Sequence, residues 1–186
     1  MNWAAAAAAA TLSIAAPCQS DLEPVLNKPQ LLLKSVESRE TGFSIEAWSD
    51  SVDGTYRVGE AVGLFVRGSA DAYYTVLAIG PQGGVLRLYP DARAAPDLVR
   101  AGQVLTLPQG GTGQTIRAVH PSGVELLKIV GTQSPLILPE VFGEGSVPAD
   151  VAAASLQAEL LRLTDEAVSV TDIELRTIAG PACGDR

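Results

Sequence analysis

The chain has 186 residues, 47% of them hydrophobic, and sets Lys+Arg 13 against Asp+Glu 21 for a net charge of −8. That length supports one domain with a real core and is too short for two large ones. The acidic balance argues against a nucleic-acid partner, which needs a basic face to displace counterions, and against adhesion to anionic lipid headgroups.

Residues 1–20, MNWAAAAAAATLSIAAPCQS, carry no charged side chain, and the run from Trp3 to Pro17 is apolar except at Thr11 and Ser13. A bilayer core of roughly 30 Å takes about 20 apolar residues, so no integral membrane span is expected here. An apolar stretch of this length followed by small residues, with Ser13 and Ala15 suited to the positions before a cut, reads as a secretory signal or leader. Its basic n-region is missing, since Lys28 is the first cation. Cys18 and Cys183 stand near opposite ends, and after export they are expected to form one disulfide, worth about 4–5 kcal/mol in the loop-entropy picture. The competing reading makes Cys18 a lipid-modified first residue, because AAPC loosely resembles a lipoprotein box, although Pro17 fits it poorly. Either way the expected location is periplasmic or secreted.

Residues 21–42 read as an N-terminal extension in which Pro24 and Pro29 delay regular structure until LLLKSVE. Alternating segments follow: FSIEAWS (43–49), AVGLFVRG (61–68), YYTVLAIG (73–80), VLRLY (85–89), VLTLP (104–108), QTIRAV (114–119) and VELLKIVG (124–131). Each has the period of two that buries one strand face and wets the other. GPQGG (80–84) and HPSG (120–123) place Pro at the second turn position and Gly after it, so both predict hairpins. Past GEGSVPAD (143–150), the spacing of Val151, Ala154, Ala158 and Leu161, with Leu156, Leu160 and Leu163 beside them, predicts one amphipathic helix over 150–164 with Asp150 as its N-cap. AVSVTDIELRTI (167–178) returns to β-branched residues, a closing strand expected to pair with and protect the sheet edge. The fold class is therefore mainly β: an antiparallel, immunoglobulin-like β-sandwich over 43–180 with one C-terminal helix, and no internal repeat.

The order YRVGEAVGLFV, AYYTVLAIGPQGGVLRLYP, VRAGQVLTLP and VHPSGVELLKIVGTQSPLIL, about residues 56–138, resembles the bacterial family catalogued as domain of unknown function 4384. Gly59, the Tyr73/Tyr74 strand start, Pro81/Gly83, Leu88/Tyr89/Pro90 and Pro121/Gly123 carry the resemblance. It implies an exported or envelope-associated accessory domain with no known catalytic residues. Elsewhere in the family such domains are fused to caspase-like peptidase or kinase modules, and this chain has no such module.

Residues with chemical potential assemble no catalytic or metal motif. His120 is the single histidine, and Ser122 on the same tight turn is badly placed to be its nucleophile. One histidine and two remote cysteines cannot make a zinc site, so no metal or other cofactor is expected. Asp50 and Asp53 in DSVDG hint at a calcium loop, but Ala61 stands where the bidentate acid should be, which favours an Asp-stabilised turn. GGTGQT (110–115) lacks the lysine and the following helix of a phosphate loop.

Adjacent Tyr73 and Tyr74 must face opposite sides of the sheet, and Trp48 and Tyr89 are expected to join one of them in an exposed aromatic patch beside Asp91 and the 90–103 loop. The expected function is non-enzymatic binding of an envelope protein or peptide. The alternative is a hydrolase using a carboxylate pair such as Asp91 and Asp97 on an envelope substrate, which needs two acids about 5–10 Å apart in one pocket.

Overall fold

Period-two alternation becomes ten strands in the computed structural model, which describes residues 25–37, 42–91, 96–110, 114–143 and 145–179. The apolar leader, Cys18 and Cys183 lie outside the described residues. The strands are β1 (Ile45–Ser49), β2 (Thr55–Arg57), β3 (Leu64–Gly68), β4 (Ala72–Ile79), β5 (Gly84–Tyr89), β6 (Leu98–Val99), β7 (Val104–Leu107), β8 (Gly123–Thr132), β9 (Val147–Pro148) and β10 (Val168–Ile178). Helix α1 (Lys28–Lys34) precedes them and α2 (Ala149–Arg162) lies between β9 and β10. A small sheet runs β1-β3-β7, and a larger one runs β2-β10-β8-β4-β5-β9 with β6 paired to β4.

Three layers result. Leu64, Val66, Leu105 and Leu107 of the small sheet meet Tyr74, Val76, Leu127 and Ile129 of the large one in the inter-sheet core. On the opposite side of the large sheet, Leu77, Ile79, Leu126 and Val130 pack with Leu33 of α1 and Leu156 of α2. Strands β4 and β8 are thus covered on both faces, which is why they read as nearly continuous apolar runs rather than clean alternation.

GPQGG closes the β4–β5 hairpin as expected, with Gly83 N–H donating to Gly80 O at 3.0 Å and Gly83 at φ 81, where a side chain would be strained. HPSG makes no hairpin. The segment before it forms a single bridge, Arg117 to Ala61, with Val62 N–H on Ile116 O and Ala118 N–H on Glu60 O. QTIRAV therefore lines the 59–62 bend, where Gly59 at φ 91 breaks the run, and β8 pairs instead with β4 and β10.

The expected helix stands, starting one residue earlier, ending two earlier, and rotated. Pro148 occupies the N-cap with no side-chain hydrogen bond, and Asp150 sits in the first turn, where a carboxylate still faces the positive end of the dipole. Its buried face is Ala149, Ala152, Ala153 and Leu156, continued by Leu163 past its end, whereas Val151 and Leu161 are exposed. The closing strand is not a sheet edge: β10 runs antiparallel to β8 over ten paired positions from Val168–Thr132 to Thr177–Gly123 and parallel to the short β2.

The N-terminal extension contributes α1 to the core. Asn27 and Gln30 form a reciprocal capping box with Pro in the first turn. The buried Gln30 then donates Nε2 to Ile79 O (3.2 Å) and Val124 O (2.6 Å), tying the helix to the ends of two strands. At its other end the fully buried Lys128 donates Nζ to Val36 O (2.9 Å), Lys34 O (3.3 Å) and Asp172 Oδ2 (3.3 Å), with Asp172 Oδ1 at 3.0 Å. Burial pulls the ammonium's pKa down and pushes the Asp172 carboxyl up, and their mutual attraction opposes both shifts.

Candidate functional site: the outer face and free edge of the small sheet

With Leu64 and Val66 turned into the core, alternation sends Phe65 and Arg67 of β3 outward, beside Glu46 and Trp48 of β1 and Val104 and Thr106 of β7. Register aligns Trp48, Phe65 and Thr106 in one row and Glu46, Arg67 and Val104 in the next. The Trp48 and Phe65 rings stack with centroids 5.6 Å apart at 18°. Arg67 lies 5.9 Å from the Trp48 ring centre while pairing with Glu46, so the guanidinium both covers the indole and is fixed by the acid. Trp48 remains 39% exposed.

This platform is not the aromatic patch expected from the sequence. Trp48 lies on the small sheet, whereas Tyr73 is half-buried in β4, opposite Leu98 and Thr132. Tyr74 and Tyr89 are both buried in the inter-sheet core. Tyr74 has its hydroxyl against Gly68, where an added Cβ would stand 2.1 Å away. Tyr89 reaches that core through a β-bulge. Val76 pairs with Tyr89 and Leu77 with Arg87, so Leu88 is skipped and the strand changes face between Val85 and Tyr89. Asp91 accepts from Gln114 Nε2. Phe65 and Arg67, missed in the sequence, were marked there by their alternation with Leu64 and Val66.

Beside the platform, the main chain of β7 is open. Gly102 N–H donates to Gly68 O (2.9 Å) and Asp50 N–H to Gly63 O (2.9 Å), so even-numbered residues of β3 turn their peptide groups to β7 and odd-numbered ones to β1. Leu64–Leu107 and Val66–Leu105 are then the hydrogen-bonded pairs, and the N–H and C=O of Val104 and Thr106 point away from β3. Among the described residues nothing pairs with them. A cleft of about 450 Å³ runs along this edge, with Gln103 and Thr106 on one wall and Tyr89, Asp97 and Leu98 on the other. The Tyr89 hydroxyl is buried there without a hydrogen bond; burial pushes its pKa up, and the nearby Asp97 amide tempers that without reaching hydrogen-bond geometry. Asp97 is the one carboxylate of this cleft, and its oxygens make no ion pair or hydrogen bond among the described residues.

A second cavity, about 620 Å³, lies where the N-terminal ends of α1 and α2 meet the β4–β5 turn, and among the described residues its single carboxylate is Asp150. Neither cavity brings Asp91 and Asp97 together. Asp53 accepts from Thr55 N–H and Ser51 Oγ (both 2.9 Å), the Asp-stabilised turn that DSVDG suggested. No group of three or more His, Cys, Asp or Glu able to hold a metal exists among the described residues, and no helix there is long and apolar enough to cross a membrane.

Residues 55–135 match the family described as domain of unknown function (DUF4384), in agreement with the resemblance read from the strand order. The matched segment covers β2 to β8, under half of the chain, and so leaves out β1, both helices, β9 and β10. No curated protein matches the chain.

Proposed function

We propose that the protein is a non-enzymatic, exported and envelope-associated accessory domain that binds a partner protein or peptide through the outer face of its small sheet. The observation that carries this reading is the exposed Trp48–Phe65 stack held under Arg67. A soluble monomer gains nothing in its core from that pair, and rigid aromatic surface flanked by a fixed arginine is what interface hot spots are made of. The apolar leader and the Cys18/Cys183 pair support export and one terminal disulfide.

The test is capture of envelope proteins on the immobilised mature domain, comparing wild type with Trp48→Ala. A specific band lost with Trp48→Ala, at a stability cost of about 1 kcal/mol for a half-exposed ring, supports the assignment. An unchanged capture profile refutes it. Hydrolysis of envelope glycan or peptide by the purified domain would overturn its non-enzymatic part. Fractionation of a tagged chain, and intact mass before and after alkylation without reductant, test the export and the bridge.

A further inference from the structure

We infer that the free edge of β7 is a strand-addition site, taking an extended segment of a partner protein that carries a lysine or arginine into the cleft beside Asp97. This rests on the binding role proposed above and adds its mode and its ligand chemistry. Three independent observations converge on one edge. Among the described residues the peptide groups of Val104 and Thr106 point outward unpaired, as an incoming strand requires, whereas the edges of the large sheet are closed down to three residues in β2 and two in β9. The buried Tyr89 hydroxyl in the cleft wall has no hydrogen bond, a deficit that a ligand carbonyl or amide would fill. Charge selects the occupant. Arg67 is neutralised by Glu46 and Arg100 by Asp71, while the Asp97 carboxylate has no counter-ion among the described residues. A cation on the added strand meets the unpaired charge of the cleft.

Main-chain pairing would supply affinity that is tolerant of sequence, and the cleft beside it would impose the preference for a basic residue. Thr106→Pro isolates the main-chain part. Its N–H makes no bond to β3, so proline removes an outward donor without breaking the ladder, as edge strands tolerate. Tyr89→Phe isolates the cleft, because deleting an unsatisfied buried hydroxyl leaves the free domain as stable as before or more so.

The probes are two labelled peptides, Thr-Val-Lys-Val-Lys-Val-Thr and the same sequence with Glu for Lys, together with an N-methylated lysine peptide, each titrated against the mature domain by fluorescence anisotropy. Expected are binding of the lysine peptide about fivefold or more tighter than the glutamate one, inversion of that preference in Asp97→Lys, and about tenfold or more loss both in Thr106→Pro and on N-methylation. Tyr89→Phe should bind the lysine peptide more weakly with no fall in melting temperature. Absence of binding, equal binding of the N-methylated peptide, or no charge preference overturns the inference. Envelope capture that is lost in Trp48→Ala but intact in Thr106→Pro leaves the proposed function standing and removes only the strand-addition mode.

Discussion

Replacing Lys128 by methionine keeps the length and the apolar stem of the side chain while deleting its ammonium. Three contacts disappear at once: the bonds to Val36 O and Lys34 O, which finish α1, and the pairing with Asp172. Removing one member of a buried ion pair costs about 3–5 kcal/mol, chiefly because the other is left uncompensated. Asp172 keeps 20% side-chain exposure and can take up a proton, so the low end applies, about 3 kcal/mol. For a domain of this size that lowers the melting temperature by about 6–12 °C. Urea unfolding followed by far-UV circular dichroism measures the loss. Hydrogen exchange locates it, since the amides of 31–36 should lose protection before those of β8 and β10. Combining Lys128→Met with Asp172→Asn should cost less than the two single changes together, by about 1–2 kcal/mol. A Lys128→Met midpoint within error of wild type, or strict additivity in the double variant, refutes the view that this lysine staples the helix to the sheet.

Gly68→Ala should destabilise by about 1–3 kcal/mol, because its Cβ would sit 2.1 Å from the Tyr74 hydroxyl, whereas Gly80→Ala, which meets nothing within 4 Å, should stay within about 0.5 kcal/mol; thermal melts compare them. Burial pushes the Asp50 carboxyl up, but hydrogen bonds from the Tyr56 hydroxyl and the Gly63 amide outweigh it and hold the group below its ordinary 3.8. A depressed carboxylate adds stability above its unfolded pKa and loses it as pH falls through the folded one. Asp50→Asn should therefore cost about 1 kcal/mol at pH 7, and melts at a series of pH values should show that gap closing below pH 3.8. A gap that persists undiminished at lower pH rules out the ionised carboxylate as its source.

The strands of the sandwich were legible because apolar patterning is a local signal: β1, β3, β5, β7 and β10 arise where alternation places them, and β4 and β8 where long apolar runs do. Properties decided by distant partners were not. Simple alternation puts Tyr89 on the same face as Val85, and only the bulge opposite Val76 and Leu77 reverses it. The stripe through Val151, Ala154, Ala158 and Leu161 is as regular as the buried one. Packing against the sheet buries Ala149, Ala152, Ala153 and Leu156 instead, a choice made by the sheet rather than by the helix's own pattern. QTIRAV has strand chemistry but no vacant neighbour, since both sides of β8 are taken by β4 and β10. Lys128 did leave a trace. A lysine between Leu126, Leu127, Ile129 and Val130, in a strand apolar on both faces, has no route to water and must be met by buried acceptors.

The position of β10 also bears on how such a chain is made. It is the last strand described, yet it lies between β2 and β8, so a polypeptide emerging from the ribosome up to residue 167 has one long side of β8 uncovered and β2 without its strand partner. The large sheet closes only when the C-terminal strand arrives. Until then β2 and one side of β8 lack the strand that pairs with them, so folding of the large sheet is deferred until the chain through Ile178 has been made.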